Sequence, residues 1–299
     1  MDAWERAVHE LPPGHGGAFV LDVLRRGFEL PFVDGATPPA PHRVPRNFVQ
    51  DSDMTFARRA VADLLASGAA CTWDEMRNVY RARGLRGPMF EDERPFFVMP
   101  LIVSEKASST PEDRKLRLIH DCRAINAYLK RLPFRMEGLT DFLKCLRRGD
   151  MLISADISSA YHHVSIAERH CTYLGFELDG AYYVFRVLPF GLGPSAYVFC
   201  QFSGLAANVI RQRGHVSALI CYVDDFGASV GPTPTPGQGF AIAQVLEELG
   251  FLVNRVKSIC SPTPSLELLG LSPTPPPCSS AYRSGGSTSS NGRRRPCSR

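Results

Sequence analysis

The chain has 299 residues, of which 44% are hydrophobic, 21% charged and 10% aromatic, and its formal net charge is +4. That length supports one large or two ordinary domains around real cores, and the composition excludes a collagenous, coiled-coil or wholly disordered chain. The start, Met1-Asp2-Ala3-Trp4-Glu5, lacks the pattern of a secretion signal. The longest apolar run, around Ala218–Val223, is too short to span a bilayer, and the nine cysteines contain no Cys-x-x-Cys pair, so the reading is an intracellular protein, cytoplasmic or nuclear, with reduced thiols and no membrane partner.

In chain order, Ala18–Arg26 is helix-compatible and stops at Gly27, and Pro31–Pro45 reads as a loop. Asp51-Ser52-Asp53 caps a predicted helix with Phe56, Ala60 and Leu64 on one face, Ala57, Val61 and Leu65 on an adjacent one, and Gly68 as its stop. Pro95–Val103 and Leu116–Asp121, separated by a polar turn around Pro111, read as paired strands. Met151–Ile157 and Tyr182–Val187 are further strands. Ser195 caps a long helix whose apolar stripe is Val198, Phe202, Leu205, Val209 and Ile210, ended by Gly214. Leu219–Val223 and Phe226–Val230 form a hairpin whose tip carries Asp224-Asp225, and a last helix runs from Phe240 to Leu249. Gly231–Gly237 and everything after Leu271 are rich in Pro, Thr, Ser and Gly and read as disordered. Strands alternating with long helices give an α+β fold.

Charge is unevenly placed. Five arginines and no acid lie between Ser272 and Arg299, which leaves −1 for the rest of the chain. Between Arg114 and Arg148, ten Lys and Arg residues face three acids, and that stretch is the candidate electrostatic footprint for nucleic acid. A solvated basic face is the plain alternative.

The strongest chemical signal is Tyr222-Val223-Asp224-Asp225 between apolar strands. Two adjacent carboxylates at a buried hairpin tip repel each other, and a divalent metal is the usual resolution. Asp156 ends the strand Leu152-Ile153-Ser154-Ala155, so strand pairing can bring a third carboxylate to the tip. Three such groups can hold two Mg²⁺ ions about 3.5–4 Å apart, the clamp used in phosphoryl transfer. His162 and His163 adjoin this strand, but strand neighbours point to opposite faces and cannot both reach one ion.

In order and spacing, the segments Ser154–Val164, Leu188-Pro189-Phe190-Gly191-Leu192 and Tyr222-Val223-Asp224-Asp225 resemble the signature motifs of retroelement reverse transcriptases of the gypsy and DIRS type. The resemblance extends upstream through Pro100–Lys106 and Arg117–Asn126, and downstream through Leu249-Gly250-Phe251, Asn254, Lys257 and Leu269-Gly270. It implies a right-hand polymerase with fingers and an antiparallel palm sheet backed by helices. By that reading, 1–85 is an N-terminal extension, the fingers take about 86–131 and 164–194, the palm takes about 132–163 and 195–271, and 272–299 is a Ser/Pro/Arg-rich tail standing where the family continues into a thumb. The thumb would be absent and the chain truncated.

Carried over position by position, the resemblance makes Asp156, Asp224 and Asp225 the ligands of two Mg²⁺ ions, or Mn²⁺, with the Ile157 carbonyl as a further ligand. Lys106 and Arg117 would hold the triphosphate of the incoming nucleotide, which suits a point charge and a forked cation. Tyr161 would gate the sugar against a 2′-hydroxyl, Phe190 would line the nucleotide site, and Gly191 would let backbone approach template and nucleotide. Lys257 would protonate the leaving pyrophosphate. The implied activity is RNA-directed DNA polymerisation by nucleotidyl transfer. The implied partners are dNTPs, an RNA or DNA template with primer, and another chain supplying a thumb or RNase H. The alternatives are a decayed retroelement product that binds nucleic acid without polymerising, and a cellular polymerase making RNA, against which Tyr161 speaks.

Overall fold

The computed structural model describes residues 1–44, 46–106, 109–110 and 113–268. The tail from Ser272, the pair Leu269-Gly270 and any thumb therefore lie outside the described residues. Eleven strands are present: β1 (His42–Arg43), β2 (Ala70–Thr72), β3 (Phe97–Val98), β4 (Leu101–Glu105), β5 (Leu116–His120), β6 (Leu152–Asp156), β7 (Gly175–Leu178), β8 (Ala181–Phe185), β9 (Ala218–Tyr222), β10 (Asp225–Ser229) and β11 (Ile259–Thr263). Two compact units form. The first takes residues 1–5, 16–134 and 159–202, and the second takes 6–15, 135–158 and 203 onward. Residues 16–85, read from the sequence as part of an extension, share a unit with residues 86–131 and 164–194.

In the first unit a five-stranded sheet has the order β1-β3-β7-β8-β2. β1, β3 and β7 run parallel, and β8 is antiparallel to both β7 and β2. β4 and β5 form a separate antiparallel pair with Ser104 opposite Arg117, the two strands read from Pro95–Val103 and Leu116–Asp121. The helix Trp73–Ala82 is started by a reciprocal capping box, in which Thr72 accepts from the Glu75 N–H and Glu75 accepts from the Thr72 N–H. It buries Trp73, Met76 and Tyr80. Tyr173 ties the aromatic core together, with ring centroids 5.1 Å from Phe32 and 5.9 Å from Phe97.

Two local readings change. The helix Met54–Ala66 buries Ala57, Val61 and Leu64, so Phe56 and Ala60 lie off its core face. Asp53 makes no side-chain cap. Its carboxylate, on a residue only 4% exposed, is held by Arg114 at 2.6 Å. Burial leaves a carboxylate in need of a cation more than of a second N–H, and the same Arg114 also pairs with Glu105. The basic stretch is partly neutralised as well, since Arg123 pairs with Asp121 and Lys144 with Asp141.

The second unit is built on a wholly antiparallel sheet of order β11-β6-β10-β9. Phe142, Leu146, Leu152, Ile220, Leu266 and Leu268 form a buried cluster of this unit. Helix Ala241–Glu248 packs on β6 and helix Leu139–Cys145 on β9. This is the antiparallel, helix-backed sheet expected of a palm. The long helix Ser195–Arg213 buries the whole predicted stripe from Val198 to Ile210, but Ser195 uses its hydroxyl to donate to the Pro189 carbonyl at 3.0 Å. The segment Gly231–Gly237 is irregular, yet it ends in a hydrogen-bonded turn where Gln238 Oε1 accepts from the Thr235 N–H at 3.0 Å. No helix among the described residues is long and apolar enough to cross a membrane.

Candidate active site

The β9–β10 hairpin pairs Tyr222 with Asp225, so its turn is only Val223 and Asp224. Asp224 sits in the turn while Asp225 opens strand β10, which corrects the reading that placed both at the tip. Val223 carries φ +57°, a left-handed conformation that is costly for a β-branched residue. The turn is tied down on its far side by the Ile157 N–H, which donates to the Asp224 carbonyl at 3.1 Å. Across the next strand, Asp225 lies directly opposite Asp156.

Like charges placed this way are held at a cost. Burial, then Asp224, then Asp156, push the Asp225 carboxyl up to about 6, and Lys257 opposes them. The Lys257 ammonium lies 3.2 Å from Asp156 Oδ1. Its loop is shaped by Asn254, whose side-chain oxygen accepts from the N–H groups of Val256 and Lys257, and whose own N–H donates to the Asp156 carbonyl at 2.8 Å. Ser258 Oγ accepts from the Asp156 N–H at 3.1 Å. Asn254 entered the sequence reading only as part of the resemblance, with no role given to it, and Ser258 did not enter it. The signal available was an Asx-type turn, Asn followed three residues later by the cation. Ile157 faces Val253 in a pairing whose hydrogen bonds run through Ser158–Leu252 and Asn254–Asp156, which leaves the Ile157 carbonyl unused by that pairing.

The donors here are all hard oxygens, and their mutual repulsion gives them a use for divalent charge. Even so, no group of three or more His, Cys, Asp or Glu among the described residues is arranged to close around an ion by itself.

A second group of predicted residues gathers in the first unit. Tyr161 lies on a 3₁₀ turn, Ala160–His163, with its ring 4.9 Å from Phe190 and 6.0 Å from Phe199. The Arg117 guanidinium stands 4.9 Å over the Phe190 ring. Lys106 is exposed and lies two rungs beyond Arg117 on the β4–β5 ladder, its N–H donating to the Lys115 carbonyl. His162 and His163 are on the turn, not on a strand. Burial lowers the pKa of both, and His163 Nδ1 is 3.1 Å from the Ala160 carbonyl.

Gly191 meets a steric demand inside the protein as well. At φ +110° a Cβ would stand 2.0 Å from the His120 carbonyl, so the protein's own backbone leaves no room for a side chain here. Two neighbours missed by the sequence reading hold this loop. The His120 N–H donates to the Phe190 carbonyl at 3.1 Å, and Asn126 clamps it with Nδ2 donating to the Gly191 carbonyl at 2.9 Å and Oδ1 accepting from the Gly193 N–H at 2.8 Å.

Residues 105–272, more than half of the chain, match the family described as reverse transcriptase (RNA-dependent DNA polymerase). Among relatives, the chain is 29% identical over 125 residues to the retrovirus-related Pol polyprotein from transposon 412 of Drosophila melanogaster, a match covering 42% of this chain and 10% of that protein. It is 28% identical over 124 residues to the corresponding polyprotein from transposon gypsy of the same fly, covering 41% of this chain and 11% of that protein. The chain thus spans about a tenth of the length of these relatives. Among solved structures, the foamy viral protease-reverse transcriptase dRH in complex with double-stranded DNA superposes with a TM-score of 0.62 at 17% identity, covering 91% of this chain and 45% of that one. The foamy viral protease-reverse transcriptase in complex with an RNA/DNA hybrid gives 0.58 at 17% identity, covering 91% and 35%.

Proposed function

Since this chain belongs to the reverse transcriptase (RNA-dependent DNA polymerase) family, we propose that it extends a primer along an RNA or DNA template. The primer 3′-hydroxyl would attack the α-phosphate of a dNTP, forming the new P–O bond as the bond to pyrophosphate breaks. The observation that carries this reading is the carboxylate set: Asp225 opposite Asp156 in the sheet, with Asp224 in the adjoining turn. When bound at these three carboxylates and the Ile157 carbonyl, two Mg²⁺ or Mn²⁺ ions would activate the attacking hydroxyl and neutralise phosphate charge.

The chain's own residues divide the remaining work. Asn254 and Ser258 fix the Asp156 backbone and hence the aim of its carboxylate. Arg117 and Lys106 would grip the triphosphate. Tyr161 would fill the space a 2′-hydroxyl needs, so Tyr161→Ala should raise ribonucleotide incorporation. Lys257 would protonate the leaving pyrophosphate, a task for which its ammonium must leave Asp156. A template-primer duplex as partner is supported by the neighbours solved with double-stranded DNA and with an RNA/DNA hybrid. Another chain supplying a thumb or RNase H is part of the same proposal, as is the division into fingers and palm.

The test is primer extension on an RNA template with Mg²⁺ or Mn²⁺. Asp156→Asn and Asp224→Asn should each lower extension by orders of magnitude while template-primer affinity is unchanged. Extension by either variant at near the parental rate would overturn the assignment.

A further inference from the structure

Arg117 is an exposed cation that makes no ion pair among the described residues, and its guanidinium stands over the Phe190 ring at 4.9 Å. Both ends of that contact are anchored on β5. Arg117 belongs to the strand, and the Phe190 carbonyl accepts from the His120 N–H three residues further along. The ring is steadied from a second direction by Tyr161 at 4.9 Å, and its loop by the Asn126 clamp. A free arginine forfeits much rotamer freedom when it grips an anion, and holding the fork beforehand removes part of that loss.

We infer that Phe190 is a positioning residue: it acts through Arg117, keeping the guanidinium pre-oriented for the anionic part of the nucleotide, and does not itself supply a polar contact. This rests on the polymerase reading for the identity of the anion. The contact between ring and cation is independent of that reading.

The expected consequence is selective. Phe190→Leu should raise KM for dNTP roughly 2- to 5-fold, the spread of about 0.5 to 1 kcal/mol for a cation over a ring at an exposed site converted at 1.4 kcal/mol per tenfold. Its kcat should fall by less than KM rises, because the ring acts through Arg117 on binding. Phe190→Trp and Phe190→Tyr keep a π face and should raise KM less than Phe190→Leu does. In an Arg117→Ala background, Phe190→Leu should change KM little further, since the group it acts through is gone.

A second readout needs no turnover. The Arg117 side-chain proton resonances of the full chain should show an upfield ring-current shift that vanishes in Phe190→Leu and persists in Phe190→Trp. If the parental chain shows that shift but extends no primer, the polymerase reading fails while the stack stands. Absence of the shift overturns the inference, whatever the activity. So does a Phe190→Leu effect that is undiminished in Arg117→Ala, or an equal loss in Phe190→Trp, because either would assign Phe190 to packing alone.

Discussion

Replacing Asp225 by Asn should make the metal-free chain more stable. The Asp225 carboxyl is pushed from its ordinary 3.8 to about 6 by burial and by Asp224 and Asp156. An acid whose folded-state value lies above its unfolded value binds more protons when folded, so its ionisation weakens the fold. The penalty is complete above about pH 6, fades as pH falls through 6, and is gone below 3.8. At 1.36 kcal/mol per pKa unit the upper bound is about 3 kcal/mol, and water screening at this half-buried strand end reduces it to about 1–2 kcal/mol. For a chain of this size that corresponds to a rise in Tm of roughly 2–8 °C. Thermal unfolding in EDTA at pH 8 and again at pH 4, Asp225→Asn against parent, reads the effect directly. The gain should be present at pH 8 and nearly absent at pH 4, and adding Mg²⁺ or Mn²⁺ should stabilise the parent more than the variant. A variant that melts at or below the parent at pH 8, or gains equally at both pH values, would refute the electrostatic account of the site.

Three other perturbations follow from contacts already described. Lys257→Met should lower Tm slightly in EDTA at low salt, because Asp156 loses its partner at 3.2 Å, and should enlarge the stabilisation by Mn²⁺, both measured by thermal melts across a metal titration. Burial pushes His120 down to about 4, so the folded state excludes a proton that the unfolded state takes up. Stability should fall by up to about 3 kcal/mol as pH drops from 6.5 to 4, and His120→Gln should flatten that limb of a urea-denaturation series. Gly191→Ala combines a left-handed backbone with a Cβ 2.0 Å from a carbonyl oxygen and should cost about 3 kcal/mol, visible as a lower urea midpoint with an unchanged slope.

Much of the fold was legible because the signals were local. The apolar runs around Leu152, Ile220 and Phe226 become β6, β9 and β10, and the stripe from Val198 to Ile210 becomes a buried helix face. What failed depended on partners far along the chain. Asp53 read as a cap because its neighbours in sequence favour one, but Arg114, 61 residues away, takes its carboxylate. The separation of Asp224 from Asp225 is a matter of register, which the spacing of apolar residues fixes only to within the length of the turn. Gly191 was readable as a position intolerant of a side chain, whereas its contact with His120 was not, because His120 reaches it only through the tertiary fold. In the site, charge and spacing pointed to the carboxylates. Asn254 and Ser258 act through backbone hydrogen bonds and leave almost no compositional trace.

The strand order β11-β6-β10-β9 also sets a timetable for the nascent chain. Both sheet neighbours of β6 are encoded after it: β10 begins at Asp225 and β11 at Ile259, while β6 ends at Asp156. At about 5–20 residues per second of synthesis, β6 waits on the order of 3–14 s for its first neighbour and longer for its second. Throughout that interval it carries Leu152, Ile153 and Ala155, all buried in the finished sheet, between two unpaired edges. Any product of arrested translation that stops between these strands presents a short, apolar, doubly open template for pairing with another such chain.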